Sequence, residues 1–547
     1  MKKSLVAVIG FFLLLYVLPL GVRPMIVPDE ARYAEIPREM VASGDWVVPR
    51  LNGLRYFEKP AMGYWVNALS MTLFGQNAFA VRLPSALSAG ASALAVFLMV
   101  QRFGSGVPAA TLSAAVLLTT LEVFAVGTFC ILDSLLSFFL TGGMVLFLFG
   151  FMEKYLGRRR LFLAFSGLFF GLAFLTKGFL AFAVPLVSIV PFAIWEKRGK
   201  ELLKCSWLPM AAALLVASPW ALMIHLREPD YWHYFFWIEH VKRFLSHNAQ
   251  HGQPFWYFIG VFVGGALPWT FLIPATASNL RKAGRRLPLI RFTLCWLLFP
   301  FIFFSLSHGK LATYLLPCFP PFAVLTGIGV VGYLEKGRHR AFVAGGTLLA
   351  LLISLLAFAL LWLQLTGVSP LRPYHEGETW KGIAGAAGLL LWVSLLVLAL
   401  FSRIPWRRLA LFSIAPLPIL LCAPFIMPDR IIEKKAPGRF LHEQADRVGP
   451  DTLLVSEDDP LRAVCWTYRR DDVYVLMNPG ELGYGLSYGD AKHRQLTVEQ
   501  LNNLLIRYRG KRRVVLIARS SRFAEYRGSL PTPTFEVNKG RFALVQF

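Results

Sequence analysis

Charge is scarce in this chain. Only 16% of its 547 residues are charged, against about a quarter in soluble globular domains. Hydrophobic residues make up 56%, and the mean hydropathy is +0.54. That balance excludes a soluble single-core protein and indicates an integral membrane protein. Acidic residues are the scarcer sign: 32 Asp and Glu stand against 56 Lys and Arg, for a net charge of +24. Such an excess can serve nucleic acid, but here the basic residues cluster in short loops between apolar runs. That is the pattern of membrane topology and contact with anionic lipid, and no nucleic acid is expected. The six cysteines (Cys130, Cys205, Cys295, Cys318, Cys422 and Cys465) form no CxxC pair, and only Cys465 lies in the polar tail. Neither a zinc knuckle nor a disulfide framework follows. No P-loop and no GxGxxG turn after a strand is present, so no nucleotide cofactor is expected. Internal repeats and low-complexity segments are also missing. After Lys2-Lys3 and the apolar run 4–20 comes Gly21-Val22-Arg23-Pro24, a poor cleavage site, so the run is expected to remain as an anchor.

What the chain has in quantity is long apolar runs. A membrane-spanning helix needs about 20 such residues. Candidate spans lie near 4–22, 82–101, 107–126, 128–151, 160–178, 180–195, 206–226, 255–277, 288–306, 311–333, 341–366, 382–401 and 408–427. The expected fold is an α-helical polytopic membrane protein with thirteen crossings. Lys and Arg concentrate in every second loop, from Lys2-Lys3 and Arg102 through Arg158-Arg159-Arg160 to Arg407-Arg408. This sets those loops on the cytoplasmic side. Loops 23–81 and 227–254 and the tail are then expected outside. Residues 1–427 form the membrane domain on this reading and 428–547 a small α/β domain. The tail's apolar runs shorten to strand length at 452–456, 472–477, 513–518 and 541–547, with a helical pattern at Val498–Arg509. The aromatic-rich loop 23–81 is expected to form amphipathic helices in the membrane interface.

Candidate chemistry gathers in the outer loops. Pro28-Asp29-Glu30 reads as a helix start, where acidic groups favour the positive end of the backbone dipole. Arg32 and Tyr33 follow on the face of Asp29, and Tyr56-Phe57-Glu58-Lys59-Pro60 pairs a carboxylate with an ammonium. Anionic oxygens, with or without a metal, fit between these segments; an acidic helix cap followed by an ordinary interfacial loop fits the same residues. Asp133 near the outer end of a span is costly at that depth and marks function. Lys177 and Lys310 recur at the same level. With Lys59, Arg32 and Arg243 they suggest a phosphate-binding wall, in which lysine acts as a point charge and arginine holds two oxygens. Tyr314 follows Lys310 by four and offers a hydroxyl. His233, His240, His247 and His251 concentrate in loop 227–254, and Glu58 with His240 suits zinc or manganese.

The stretch PDEARYAEIPREMVASGDWVVPRLNGLRYFEKP resembles the bacterial 4-amino-4-deoxy-L-arabinose transferases (ArnT), members of the GT-C glycosyltransferases. The likeness continues through FLTKGFLAFAVP, REPDYWHYFFWIEHVKRFLSHNAQHGQPFWYF, SHGKLATYLLP, MPDR and GELGYGLSYGDAK. Pro37 departs from the pattern, where a small or neutral helix residue is expected. The resemblance implies a GT-C membrane domain of thirteen helices and a periplasmic C-terminal α/β domain. It implies transfer of aminoarabinose from undecaprenyl phosphate to a lipid A phosphate at the outer leaflet of the bacterial inner membrane, with resistance to polymyxin as the consequence. Asp29 then falls on the catalytic aspartate and Asp133 on a second important acid. Glu58 and His240 fall on metal ligands, and Arg32, Tyr33, Tyr56, Lys59, Lys177, Arg243 and Tyr314 on the surroundings of the carrier phosphate. Holding the sugar's amino group falls to Asp133 or Glu30. Two other readings share the acidic loop or the basic cavity: a protein O-mannosyltransferase-like enzyme and a non-enzymatic lipid transporter.

Overall fold

The computed structural model describes residues 2–104, 106–242, 252–283, 287–367 and 372–547, without the side chains of residues 240–242, 282 and 283. It divides into two compact units. One comprises Met1–Leu20, Arg82–Pro373 and Thr379–Ile426; the other comprises Gly21–Val81, Tyr374–Glu378 and Met427–Phe547. The last stretch of the second unit begins at Met427. Residues 23–81, which the sequence assigned to the membrane domain, group with the tail instead.

In the first unit each of the thirteen apolar runs is helical, but the crossings are not uniform. Among the described residues eight helices are long and apolar enough to cross a bilayer. Two further runs are bent: Gly106–Thr119 meets Leu121–Gly127 at 62°, and Tyr257–Gly265 meets Trp269–Arg281 at 93°. The remaining three fall short of a single long helix. Leu180–Trp195 has 16 residues with Pro185 and Pro191 inside, Lys2–Phe12 passes into a π-helical turn at Leu13–Val17, and Pro405–Ile414 is separated from Leu417–Cys422. Proline explains two of the interruptions, at Pro268 and Pro416, because it removes a helical N–H and crowds the preceding turn. Thirteen uninterrupted crossings is therefore too regular a picture.

Close packing in this unit relies on small residues, as expected where lipid gives helices no hydrophobic reason to associate. Helices Leu132–Met152 and Leu156–Lys177 form an antiparallel hairpin. A Cβ at Gly142 would lie 2.3 Å from the ring of Phe169, and one at Gly167 would lie 2.2 Å from the Pro209 carbonyl oxygen. The Ser166 hydroxyl donates to the Gly143 carbonyl at 2.8 Å. This interlocking sets the start of the first helix beside the end of the second.

The second unit is built from the acidic loop and the tail. Helix Asp29–Ser43 carries Asp29 and Glu30 in its first turn and ends at Gly44, whose φ of 72° lets its N–H close on the Met40 carbonyl. It runs through Pro37 without ending. Expected to lie in the membrane interface, it is buried from Glu30 to Met40, because it packs against helix Met62–Phe74 and against helix Asp458–Tyr468 of the tail. Its inner charges are matched: Glu30 takes both terminal nitrogens of Arg23 at 2.8 and 2.9 Å, and Glu35 pairs with Arg38.

Strands β1 (Arg50–Leu51) and β2 (Leu54–Arg55) are joined by Asn52-Gly53, both with positive φ, the geometry of a tight hairpin. This hairpin is locked to the tail. Asn52 exchanges two hydrogen bonds with Val473 and receives Arg494, while Glu39 accepts the Asn52 and Gly53 N–H groups. A Cβ at position 53 would strike the Asp471 carbonyl at 2.7 Å, so only glycine fits. The tail supplies β3 (Leu453–Ser456), β4 (Tyr474–Leu476), β5 (Gln495–Leu496), β6 (Val514–Arg519), β7 (Phe535–Lys539) and β8 (Phe542–Gln546). They form one sheet in the order β5-β4-β3-β6-β8-β7. Its first four strands are parallel and β8 and β7 antiparallel. Helix Val498–Tyr508 starts on a reciprocal Thr497–Gln500 capping box and places Leu501 and Leu505 in the core with Leu453, Val455 and Leu516.

Candidate active site

In the membrane unit the helical hairpin brings Asp133, in the first turn of one helix, against Lys177, the last residue of the other. Each charge sits at the helix end that favours it, and Lys177 Nζ lies 2.6 Å from Asp133 Oδ1. The same ammonium stands 5.1 Å from the ring centre of Tyr314, within cation–π range. Three residues singled out in separate parts of the sequence thus meet. Lys310 does not join them. It is buried, and its ammonium donates to the backbone carbonyls of Ser307 and Gln253, so carbonyl dipoles hold its charge. Arg243 and the side chain of His240 lie outside the described residues.

In the second unit Asp29 opens its helix with a half-exposed carboxylate, 3.4 Å from Arg32. That is the expected shared face. Arg32 is buried, lies 5.6 Å from the ring centre of Tyr33, and sends one guanidinium nitrogen to both oxygens of Glu481, at 2.9 and 2.8 Å. The Tyr56 hydroxyl donates to Glu481 at 3.1 Å, and Arg462 does so at the same distance. Two arginines and a phenol therefore converge on one carboxylate. Burial opposes the charge of Arg32, but the neighbouring Tyr56 and Glu481 outweigh it and hold the guanidinium firmly protonated. Burial pushes the Tyr56 hydroxyl well up. Burial also works against Glu481, yet Arg32 and Arg462 hold it below the usual carboxylate range. The Nε atoms of Arg32 and Arg462 are buried and have no partner among the described residues; Arg462 also pairs with Asp458 at 3.2 Å. Tyr33 stacks on Tyr64 at 6.2 Å. Lys59, partly exposed, donates to the Glu58 carbonyl at 2.8 Å, and the Glu58 side chain is buried.

Sequence reasoning missed Glu481 and Arg462. Glu481 had a signal, since it stands in the quoted GELGYGLSYGDAK; Arg462 had none. The expectation that Asp133 or Glu30 holds an amino group meets a physical obstacle, because both carboxylates already have cations, Lys177 and Arg23. Among the described residues no group of three or more His, Cys, Asp or Glu is placed to hold a metal ion. The Glu58 side chain is buried, and that of His240, the other candidate ligand, lies outside the described residues.

Residues 2–235 match the family model of dolichyl-phosphate-mannose-protein mannosyltransferase, and residues 432–546 that of the arabinosyl transferase ArnT C-terminal domain. The undecaprenyl phosphate-alpha-4-amino-4-deoxy-L-arabinose arabinosyl transferase of Shewanella sediminis is 39% identical over 540 residues, covering 98% of this chain and 96% of that protein. The enzyme of the same name from Aeromonas salmonicida is 39% identical over 552 residues, covering 100% and 99%. The crystal structure of ArnT from Cupriavidus metallidurans bound to undecaprenyl phosphate shares the fold, with a TM-score of 0.85 at 22% identity, over 100% of this chain and 98% of that one. The chain belongs to the family of undecaprenyl phosphate-aminoarabinose arabinosyl transferases.

Proposed function

We propose that this enzyme moves 4-amino-4-deoxy-L-arabinose from undecaprenyl phosphate to a phosphate of lipid A at the periplasmic face of the inner membrane. The bond between the sugar's anomeric carbon and the carrier phosphate breaks, a lipid A phosphate oxygen bonds to that carbon, and undecaprenyl phosphate leaves. The lipid A phosphate loses negative charge, and cationic peptides such as polymyxin lose an attachment point. The observation that carries this reading is the end-to-end likeness, at 39% identity, to enzymes that bear the donor in their name.

The residues suit the chemistry. The donor already contains a leaving group, so no nucleotide is consumed. Departure of a phosphate calls for fixed positive charge, and preorganised charge in a low-dielectric site is the largest lever on such a step. In the membrane unit Lys177, with Tyr314 beside it, is the candidate to supply it; in the other unit the candidates are Lys59 and Arg32. A lipid A phosphate is anionic near neutral pH, so a strong base is less necessary than for a hydroxyl acceptor. Asp29, accessible and held by Arg32, serves as base for a residual proton or as positioner of the acceptor.

The test supplies purified enzyme with carrier-linked aminoarabinose and lipid A in vesicles. Lipid A should gain the mass of one aminoarabinosyl group. Transfer to a protein hydroxyl with lipid A unchanged would favour the mannosyltransferase-like alternative and overturn this one.

A further inference from the structure

Two membrane helices break at one place and are bonded to each other there. The first break falls at Thr120, between Gly106–Thr119 and Leu121–Gly127; the second falls at Leu267-Pro268. Leu121 N–H donates to the Leu267 carbonyl at 2.9 Å, and Trp269 Nε1 donates to Thr119 Oγ1 at 2.9 Å. Interrupted helices at membrane depth are tolerated where they are buried in protein or line a ligand cavity, and transporters build substrate sites from them. One residue past the first break stands Glu122. Its side chain is only partly buried, and it lies against Gly265, where a Cβ would come within 3.0 Å of the Glu122 Cβ and 3.6 Å of Oε2. Glycine at 265 thus leaves room for the carboxylate. The Glu122 segment packs on helix Leu132–Met152, which begins with Asp133, and on the turn Ala312–Cys318, which carries Tyr314.

Among the described residues Glu122 differs from Asp133, Glu30, Asp29 and Glu481 in having no paired cation. Asp133 has Lys177, Glu30 has Arg23, Asp29 has Arg32, and Glu481 has Arg32 and Arg462. Among the described residues neither a hydrogen bond nor an ion pair reaches Glu122. An uncompensated carboxylate in a membrane span is costly and calls for a partner. The partner that fits is a small cation with N–H donors, arriving as a ligand.

We infer that Glu122 binds the protonated 4-amino group of the sugar during transfer, and so sets specificity for an amino sugar. This rests on the proposed function, because the ammonium comes from that donor. A charge-assisted N–H···O contact at a half-buried site discriminates against a donor whose nitrogen is acylated and uncharged.

The experiment compares the full-length enzyme with Glu122→Gln and Glu122→Asp on two donors, the aminoarabinose carrier lipid and its N-formyl counterpart. Binding of sugar-free undecaprenyl phosphate is measured beside them. Glu122→Gln should raise KM for the amino donor by about tenfold or more and erase most of the preference over the N-formyl donor. Affinity for the sugar-free carrier should stay unchanged, and Glu122→Asp should fall between. Wild-type KM and preference in Glu122→Gln would overturn the inference. So would an equal loss of affinity for sugar-free carrier, which marks a structural role. Failure of the wild-type enzyme to transfer aminoarabinose at all is a distinct result and overturns the function on which the inference rests.

Discussion

The two units both hold charge away from water, and they do so with different stoichiometry. In the membrane unit one ammonium meets one carboxylate, Lys177 with Asp133, at the favourable ends of two helices whose packing fixes the distance. In the other unit two guanidiniums and a phenol meet the single carboxylate of Glu481, and the surrounding loop keeps Asp29 half open. A one-to-one pair is electrically closed. With Asp29 on Arg32 and Asp458 on Arg462, the second group is a network of two guanidiniums and three carboxylates, in which the buried Nε atoms of both arginines have no partner among the described residues. The first is a single closed pair, and the second is a network whose balance depends on several partners.

That contrast can be broken from either side. The largest effect belongs to the open carboxylate. Asp29→Asn keeps shape and hydrogen bonding but removes charge and basicity, and it should lower transfer about 10²–10⁴-fold with normal expression and membrane insertion. Near-normal lipid A modification by well-expressed Asp29→Asn would remove it from the chemistry. Next comes the closed pair. Lys177→Met or Asp133→Leu alone leaves a charge uncompensated in a mostly buried setting, a loss of about 3–5 kcal/mol. The double variant should recover thermal stability while staying inactive. A double variant no more stable than either single would show that the two charges do not depend on each other.

How much of this was legible beforehand follows the same division. The membrane unit could be read because a long apolar run has one physical meaning in a bilayer, and because Asp133 and Lys177 stand out as the rare charges among Phe and Leu. What composition does not display is where a run breaks: Pro268 and Pro416 mark their breaks, whereas Thr120 carries no such mark. Four of the six tail strands and helix Val498–Tyr508 followed from run length. Strand β5 is two residues long and β7 carries Glu536 and Lys539, so neither has an apolar signature. In the acidic loop Asn52-Gly53 was the strongest hairpin signal available and went unused. The burial of helix Asp29–Ser43 could not be seen locally, since the partners that cover it, such as helix Asp458–Tyr468, lie more than 400 residues away. Glu481 was hidden for the same reason, because its role is conferred by Arg32, Tyr56 and Arg462.

The smallest expected effect tests the Glu481 network directly through pH. Arg32 and Arg462 hold the Glu481 carboxyl below its ordinary 4.5 in the folded chain, against the opposing pull of burial. A depressed acid contributes stability that is fully present above its unfolded value and is lost as pH falls through its folded one. The window therefore lies below about pH 4.5, and nothing from this group should change between pH 6 and 8. Glu39 works in the other direction. Burial and the neighbouring Glu35 hold it above the usual range, so its contribution is lost as pH rises. Both act at once in the native protein, and removing one separates them. Glu481→Gln leaves two buried guanidiniums without their carboxylate, but Glu481 is about one-third exposed and solvent screens part of the interaction. A loss of about 2 kcal/mol, or roughly 4–8 °C in Tm, is expected near neutral pH. As pH falls through the depressed folded value, below 4.5, the difference should shrink, because the wild-type carboxyl then takes up its proton and resembles glutamine. A Tm gap that stays constant however far the pH falls below 4.5 while the protein remains folded would mean that Glu481 acts through shape or hydrogen bonding and that its charge contributes nothing. Glu481 would then be no part of an ionic network, and Arg32 and Arg462 would be balanced by Asp29 and Asp458 alone.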